Sequence, residues 1–182
     1  MLAASGLVES YQGGGTVVKS LVETSAGPLS DLIKVEGERA LDVIEVRKGM
    51  ESWTAYYAAQ RALPDDIRKL EVILENMERN LESLKSSEDF DANFHILVAR
   101  ATHNVVWLHL MQTIFDAMKE FQRGVWRAVY LTEEDHRTLY NHHKAVFEAI
   151  RDREPERARE VMLEHLTFAE HRSGVYVRQG KE

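Results

Sequence analysis

Apolar residues recur at helical spacing along most of the chain, and interruptions of that spacing divide it into segments. From about residue 29 onward the pattern is only helical. The main segments span residues 42–63, 64–84, a stretch that follows a break at 86–88 and runs to about 103, residues 105–130, a stretch beginning after Thr132, and 155–176. They predict an all-α fold, an antiparallel bundle of six or seven helices.

Residues that favour helix ends separate these segments. Pro64 and Pro155 suit the first turn of a helix, where a missing backbone N–H costs nothing. Thr132 suits an N-cap, because its hydroxyl can accept a hydrogen bond from the first turn. A break is expected at residues 86–88 and a turn at residues 152–155.

The first 20 residues follow a different pattern. Two short β-like runs, Leu7–Ser10 and Thr16–Lys19, flank a glycine-rich stretch at residues 11–15, and together they predict a β-hairpin. Because an isolated hairpin is marginally stable, we expect it to be the tail of something larger. Residues 21–28 read as a linker, which leaves residues 29–182 as the helical domain.

Four polar residues interrupt the apolar stripes of three predicted helices. Asp91 and His95 are four residues apart and share one helix face. His143 and His165 each lie about ten residues from the turn at 152–155, so two antiparallel helices would place them at one height. An unpaired buried carboxylate is costly, and a divalent cation would compensate all four residues together. The spacing therefore predicts a metal site inside the bundle.

Other interpretations of these residues stay open at this point. A single buried histidine is more often a hydrogen-bonded core residue, and His136 competes with His143 because both share a face with Tyr140. No HExxH motif is present, and an ExxH pattern occurs once, at residues 133–136, where the first turn of a helix explains it. A metal-dependent enzyme acting on a small organic acid remains chemically open. We nevertheless expect no enzyme.

Composition limits the chemistry and the partners. The net charge of −7 disfavours a nucleic-acid-binding surface on this chain itself. Without cysteine, metal ligands must be oxygen or nitrogen atoms. No apolar run reaches the roughly 20 residues of a membrane span, and the start lacks the features of a signal peptide, so we expect a cytoplasmic protein with no membrane partner.

Three segments carry a family resemblance: IEVR at 44–47 continuing through MESWTAYYAAQRA, DANFHILVARATHN at 91–104, and HHKAVFEAIRDREPERAREVMLEHL at 142–166. They resemble, in order, the first long helix, the D-x-x-x-H segment and the terminal helix pair of one domain. That domain is the C-terminal effector-binding (FCD) domain of FadR-type regulators in the GntR family of bacterial transcription factors. The resemblance covers about residues 29–175.

The resemblance implies a set of metal-binding residues and a class of effector. The metal-binding positions of the family fall on Asp91, His95, His143 and His165, which favours His143 over His142 and His136. Zinc is the foremost candidate metal, with nickel, manganese, cobalt or iron as alternatives. A small carboxylate or hydroxycarboxylate effector would bind the metal. A metal-free effector domain of the acyl-CoA-binding kind is the other possibility within the family.

Cationic and amide side chains are candidates for holding the effector. Arg47 is the first, since it lies in the E-x-R segment of the first long helix, and Arg100 and Asn104 follow. The alternative for Arg47 is a salt bridge on the surface or between helices.

The resemblance also gives residues 1–20 an identity, as the end of a recognition helix followed by the wing of a winged helix-turn-helix domain. The helices that would precede the wing are not in the sequence, so we expect no sequence-specific DNA binding by this chain. Operator DNA would be bound by the full-length regulator, as a homodimer. Effector binding would shift the linker and change the spacing of two DNA-binding heads.

Overall fold

Helices account for most of the chain that the structure describes. A computed structural model describes residues 8–11, 13, 15–18, 39–81, 87–129 and 132–179. The helices are α1 (Arg39–Arg61), α2 (Pro64–Arg79), α3 (Ser87–Ala101), α4 (Val105–Val129), α5 (Glu133–Arg151) and α6 (Pro155–Gln179). The predicted all-α bundle is confirmed. None of these described helices is long and apolar enough to cross a membrane.

Helix starts follow the local signals in the sequence. Pro64 is the first residue of α2, and the Asp66 carboxylate accepts a 2.8 Å hydrogen bond from the Leu63 backbone N–H. The Thr132 hydroxyl accepts a 3.1 Å hydrogen bond from the Asp135 N–H and so caps α5. The Thr132 hydroxyl thus satisfies an N–H of the first turn of α5, and the Asp66 carboxylate satisfies the N–H of the residue that precedes α2. Neither N–H has a backbone partner within its helix.

Two predicted boundaries were wrong. The segment 64–84 ends as a helix at Arg79, because the Asn80 N–H bonds to carbonyls two and three residues back and its side-chain amide donates to the Asn76 carbonyl at 2.8 Å. Asparagine competes for backbone groups in this way and favours helix ends. The break expected at 86–88 overlaps the start of α3, which begins at Ser87.

A β-hairpin precedes the helices. Strands β1 (Val8–Tyr11) and β2 (Gly15–Val18) pair antiparallel, with Val8 opposite Val18 and Tyr11 opposite Gly15. Gly13 and Gly15 have φ of 86° and 88°, which glycine adopts without strain. The predicted hairpin is confirmed. The rest of residues 1–20, the predicted linker 21–28 and residues 29–38 lie outside the described part of the chain.

The bundle is built around α1 and α6. These two helices pack along each other, α1 also contacts α3 and α5, and α6 also contacts α4 and α5. Small residues on α1 lie fully buried at these contacts: Ala55, Ala58 and Ala59. Small side chains let neighbouring backbones approach closely, which brings α1, α3, α5 and α6 together around one interior region.

The turn between α5 and α6 is locked by one arginine. Arg153 has a left-handed φ of 61°, and Pro155 begins α6 two residues later. The Arg153 guanidinium donates to the Ala59 carbonyl at 3.2 Å and also to the Ala62 carbonyl, both at the end of α1. The hairpin-like reversal of α5 and α6 is therefore tied to α1.

Candidate metal centre

Three helices bring four polar side chains to one buried point. Asp91 and His95 lie one turn apart on α3, His143 comes from α5, and His165 comes from α6. Each residue is at most 2% exposed. One candidate ligand atom from each residue can be chosen so that all four atoms lie within 4.8 Å of one another. The structure thus brings together the four residues that the spacing selected.

The three imidazoles direct their Nε2 atoms toward the same region. His143 Nε2 lies 3.2 Å from Asp91 Oδ1, and His95 Nε2 lies 3.8 Å from Asp91 Oδ2. His165 Nε2 lies 3.2 Å from His95 Nε2. Donors about 2.0–2.2 Å from one ion are separated by roughly 3–4 Å, so these spacings fit a shared divalent cation.

Aromatic rings hold the imidazoles in place. Phe94 lies edge-on to His143 with ring centroids 4.7 Å apart, and Phe115 stacks on His95 at 5.7 Å. The rings of His143 and His165 are 4.3 Å apart, as expected for two residues equidistant from the α5–α6 turn. This packing restricts the rotamers and leaves little freedom for the Nε2 atoms to diverge.

Burial and mutual proximity shift the pKa values of these groups. Burial, followed by the nearby His143 and His95, lowers the pKa of His165 well below its ordinary value of 6.5. Burial also lowers the pKa of His143, against the opposing effect of Asp91. Burial alone would raise the pKa of Asp91, but His95 and His143 outweigh it and lower that pKa. Near neutral pH these shifts favour an ionised Asp91 carboxylate and neutral His143 and His165 imidazoles, which are the forms that bind metals.

A buried pair on α1 supports the cluster. Glu51 and Arg47 are 2% and 3% exposed, and Arg47 Nε lies 2.5 Å from Glu51 Oε1. Glu51 Oε2 contacts His95 Nδ1. Burial would raise the pKa of Glu51, but Arg47 and His95 together lower it. Glu51 was missed as a site residue, although its spacing to Arg47 and Ala55 placed all three on one helix stripe.

The comparisons with known proteins agree with this architecture. Residues 42–168 match the FCD domain. The chain belongs to the FCD family. The resemblance to FadR-type regulators of the GntR family is thereby confirmed.

Relatives of this FCD chain are regulators by name. It is 30% identical over 172 residues to the "Putative L-lactate dehydrogenase operon regulatory protein" of Escherichia coli (strain K12), covering 92% of this chain and 66% of that protein. It is 29% identical to the "HTH-type transcriptional regulator LutR" of Bacillus subtilis (strain 168), covering 93% and 78% respectively. The expectation of a family without enzymatic activity is confirmed by these relatives.

A solved structure shares the fold. "Streptococcus agalactiae GntR" superposes with a TM-score of 0.74 at 22% identity, covering 93% of this FCD chain and 77% of that one. At this identity the likeness concerns the fold alone.

The candidate effector residues of this FCD domain occupy different surroundings. Arg47 forms a buried salt bridge within α1, and its guanidinium carbon lies 4.8 Å from the centre of the Phe115 ring. Arg100 is exposed and lines a groove between α2 and α3. Asn104 caps α4, its Oδ1 accepting a 2.9 Å hydrogen bond from the Val106 N–H. The structure places Arg47 beside the cluster, whereas the contacts of Arg100 and Asn104 lie elsewhere.

A small cavity lies beside the cluster. Its volume is about 30 Å³, and Asp91, His143, His136 and Tyr140 are among its lining residues. This volume accommodates about one water molecule. His136 lines this cavity and is not among the four converging residues. The centre of the His142 ring lies 6.0 Å from that of His165, whereas the His143 ring lies 4.3 Å from it. Among the described residues, the geometry therefore favours His143 as the ligand from α5.

Proposed function

We propose that this FCD domain senses a small carboxylate through a divalent metal held by Asp91, His95, His143 and His165. The convergence of four buried nitrogen and oxygen donors from three helices supports the proposal. A bound divalent ion would supply positive charge and coordination positions for a carboxylate. Zinc is the first candidate, and nickel, manganese, cobalt and iron also accept these donors.

The charge of the site favours an anionic effector once a metal is present. Among the described residues, the buried charged groups at the cluster are the carboxylates of Glu51 and Asp91 and the guanidinium of Arg47. Histidines that bind a metal are neutral, so with a divalent ion bound these groups would carry one excess positive charge. A monocarboxylate would neutralise that charge in the low-dielectric interior.

Arg47 is the best placed of the three candidate effector residues. Its charge already contributes to lowering the pKa of both Asp91 and His165, so it lies within electrostatic reach of the cluster. Because one relative is named for an L-lactate dehydrogenase operon, L-lactate is the first hydroxycarboxylate to test. Arg100 and Asn104 are secondary candidates, since their described contacts are a surface groove and a helix cap.

The domain would act within a longer regulator. The chain spans 66% of the length of its Escherichia coli relative, so DNA binding, dimerisation and a cytoplasmic location are proposed for the whole protein. We propose that the β1–β2 hairpin is the wing of a winged helix-turn-helix domain and that residues 21–28 link it to the bundle. Effector binding at a point shared by three helices would change the orientation of that linker, with coupling typically about 1–3 kcal/mol.

Metal analysis tests the proposal directly. Chain purified without chelators should contain close to one divalent ion, measured by inductively coupled plasma mass spectrometry. Substituting His143→Ala should remove it, because one of four donors is lost and an apolar cavity replaces it. His171→Ala is the matched control, since His171 is an exposed histidine on α6 and should retain full metal content.

Metal-free wild-type chain that also fails to bind added zinc, nickel, manganese, cobalt or iron would end the proposal. Equal metal content in the His143→Ala and His171→Ala variants would show that any metal is bound elsewhere.

A further inference from the structure

Glu51 uses both of its carboxylate oxygens inside the protein. Its Oε1 faces Arg47 Nε on the same helix, and its Oε2 faces His95 Nδ1 on α3. With 2% of its surface exposed, Glu51 has no compensating contact with bulk water. Burying a carboxylate this deeply destabilises the folded state unless nearby charged or hydrogen-bonding groups offset the loss of hydration.

The contact between Glu51 Oε2 and His95 Nδ1 bears on which imidazole nitrogen carries the proton. A neutral histidine has one N–H and one lone pair, and a carboxylate beside Nδ1 favours the tautomer in which Nδ1 donates. The lone pair is then on Nε2, which is the atom that faces Asp91 and His165. Without this partner the two tautomers would compete, and one of them presents N–H to the metal position.

We infer that Glu51 is a positioning residue that holds His95 in its Nε2-binding tautomer while Arg47 holds Glu51 in place, an inference that rests on the proposed metal site. Glu51 is no ligand itself, because His95 lies between it and the cluster. It would connect α1, which contributes no ligand to the four-residue cluster, to the metal site. Such partners of metal-bound histidines typically change metal affinity by about 10–100-fold.

Because its two oxygens face two different partners, Glu51 should not be replaceable by glutamine. Glutamine has one acceptor oxygen and one donor amide, so it can accept from either Arg47 or His95 but not from both. If its oxygen stays with Arg47, its amide faces His95 Nδ1 and favours the tautomer with the proton on Nε2. Shape and volume are preserved, so the change tests tautomer control and not packing.

Zinc titration of the full chain separates these effects. We expect Glu51→Gln to weaken zinc affinity about 10–100-fold, measured by competition with a chromophoric chelator. Glu45→Gln is the matched control, because Glu45 is an exposed glutamate on α1 and should bind zinc as the wild type does. Thermal melts in chelator check that each variant folds.

A rescue variant distinguishes positioning from general damage. Substituting Arg47→Met in the Glu51→Gln background frees the amide oxygen to turn toward His95 Nδ1 and should recover most of the lost zinc affinity. Arg47→Met alone measures the combined effect of removing a nearby positive charge and the partner that holds Glu51, and the change in zinc affinity should be several-fold more favourable in the glutamine background. Equal changes in both backgrounds, or zinc binding by Glu51→Gln within about twofold of wild type, would overturn the inference.

Nitrogen-15 NMR of the histidine rings in the zinc-free chain measures independently which ring nitrogen of His95 carries the proton. Wild-type His95 should carry its proton on Nδ1, and Glu51→Gln should shift it toward Nε2; an unchanged tautomer overturns the inference. Wild-type chain that binds no zinc would refute the proposed metal site, and this NMR result would still decide the role of Glu51.

Discussion

At the scale of single residues, the site combines ionisable groups, each of which would destabilise the folded state if it were buried alone. His143 and His165 have lowered pKa values, with burial as the leading cause, whereas Asp91 stays ionised because of the histidines around it. Each group therefore depends on its neighbours, and the energetic consequences should be visible as a dependence of stability on pH.

The zinc-free chain should lose stability as the pH falls from about 7.5 to 5.5. His143 and His165 remain neutral in the folded chain but take up protons near pH 6.5 when unfolded, so below that pH the unfolded state binds more protons. The free energy of unfolding should fall by up to about 1.4 kcal/mol per histidine per pH unit below 6.5. Urea unfolding in chelator at several pH values measures it.

Variants identify the source of this pH dependence. His165→Phe should give a shallower decline of the free energy of unfolding, because one buried titrating group is gone. His171→Ala removes an exposed histidine and should follow the wild-type curve. Identical slopes for His165→Phe and wild type would contradict the assignment.

At the scale of elements, short local signals determine where the helices begin. Pro64, Thr132 and Pro155 were identified from the sequence, and each lies at the start of a helix in the structure. The end of α2 was harder to predict, because Leu81 and Leu84 continue the apolar spacing while Asn80 closes the helix through its own hydrogen bonds. The tie from Arg153 to α1 was not predictable, since it joins positions more than ninety residues apart.

Removing the Arg153 tie should destabilise the bundle. Arg153→Ala loses two charge-assisted hydrogen bonds to the last carbonyls of α1, and we expect a loss of about 1–3 kcal/mol in the free energy of unfolding. Arg153→Gly should lose about 0.5–1 kcal/mol less, because glycine adopts the left-handed φ of this position freely.

Arg157→Ala is the control for the Arg153 variants, since the described partner of Arg157 is the exposed Glu154, and exposed ion pairs contribute little to stability. Urea denaturation measures all three. An Arg153→Ala variant no less stable than Arg157→Ala would show that the tie contributes nothing.

At the scale of the whole molecule, the site joins four helices that are distant in sequence. The four candidate metal ligands come from α3, α5 and α6, and Glu51 adds α1 through its contact with His95. A ligand that binds the folded state at such a junction stabilises the entire bundle by mass action. Metal binding, effector binding and the global stability of the domain should therefore change together.

Thermal unfolding should report both ligands. With zinc at about 100 times its Kd, the midpoint should rise by roughly 5–10 °C over chelated protein, from about 2.7 kcal/mol of added stability. L-lactate and related small carboxylates should raise it further in zinc-loaded protein and leave it unchanged with chelator. A carboxylate that stabilises the chelated chain equally would contradict a metal-bound effector.

The sequence by itself determined the helical class, most helix starts and the hairpin, and it indicated that Asp91, His95 and His165 converge with a histidine of α5. These features follow from local periodicity, capping chemistry and the symmetric placement of His143 and His165 about one turn. The choice among His136, His142 and His143 needed either the family resemblance or the structure, because His136 shares a helix face with His143 and His142 is its neighbour in the chain.

Only the tertiary structure decided what surrounds the four residues. Glu51 reaches His95 because small alanines on α1 allow close packing against α3, and Arg47 is buried with it. The structure also placed Arg100 at the surface and Asn104 at a helix cap. Periodicity identifies which face of a helix is buried, but the partner across that face depends on how the helices pack.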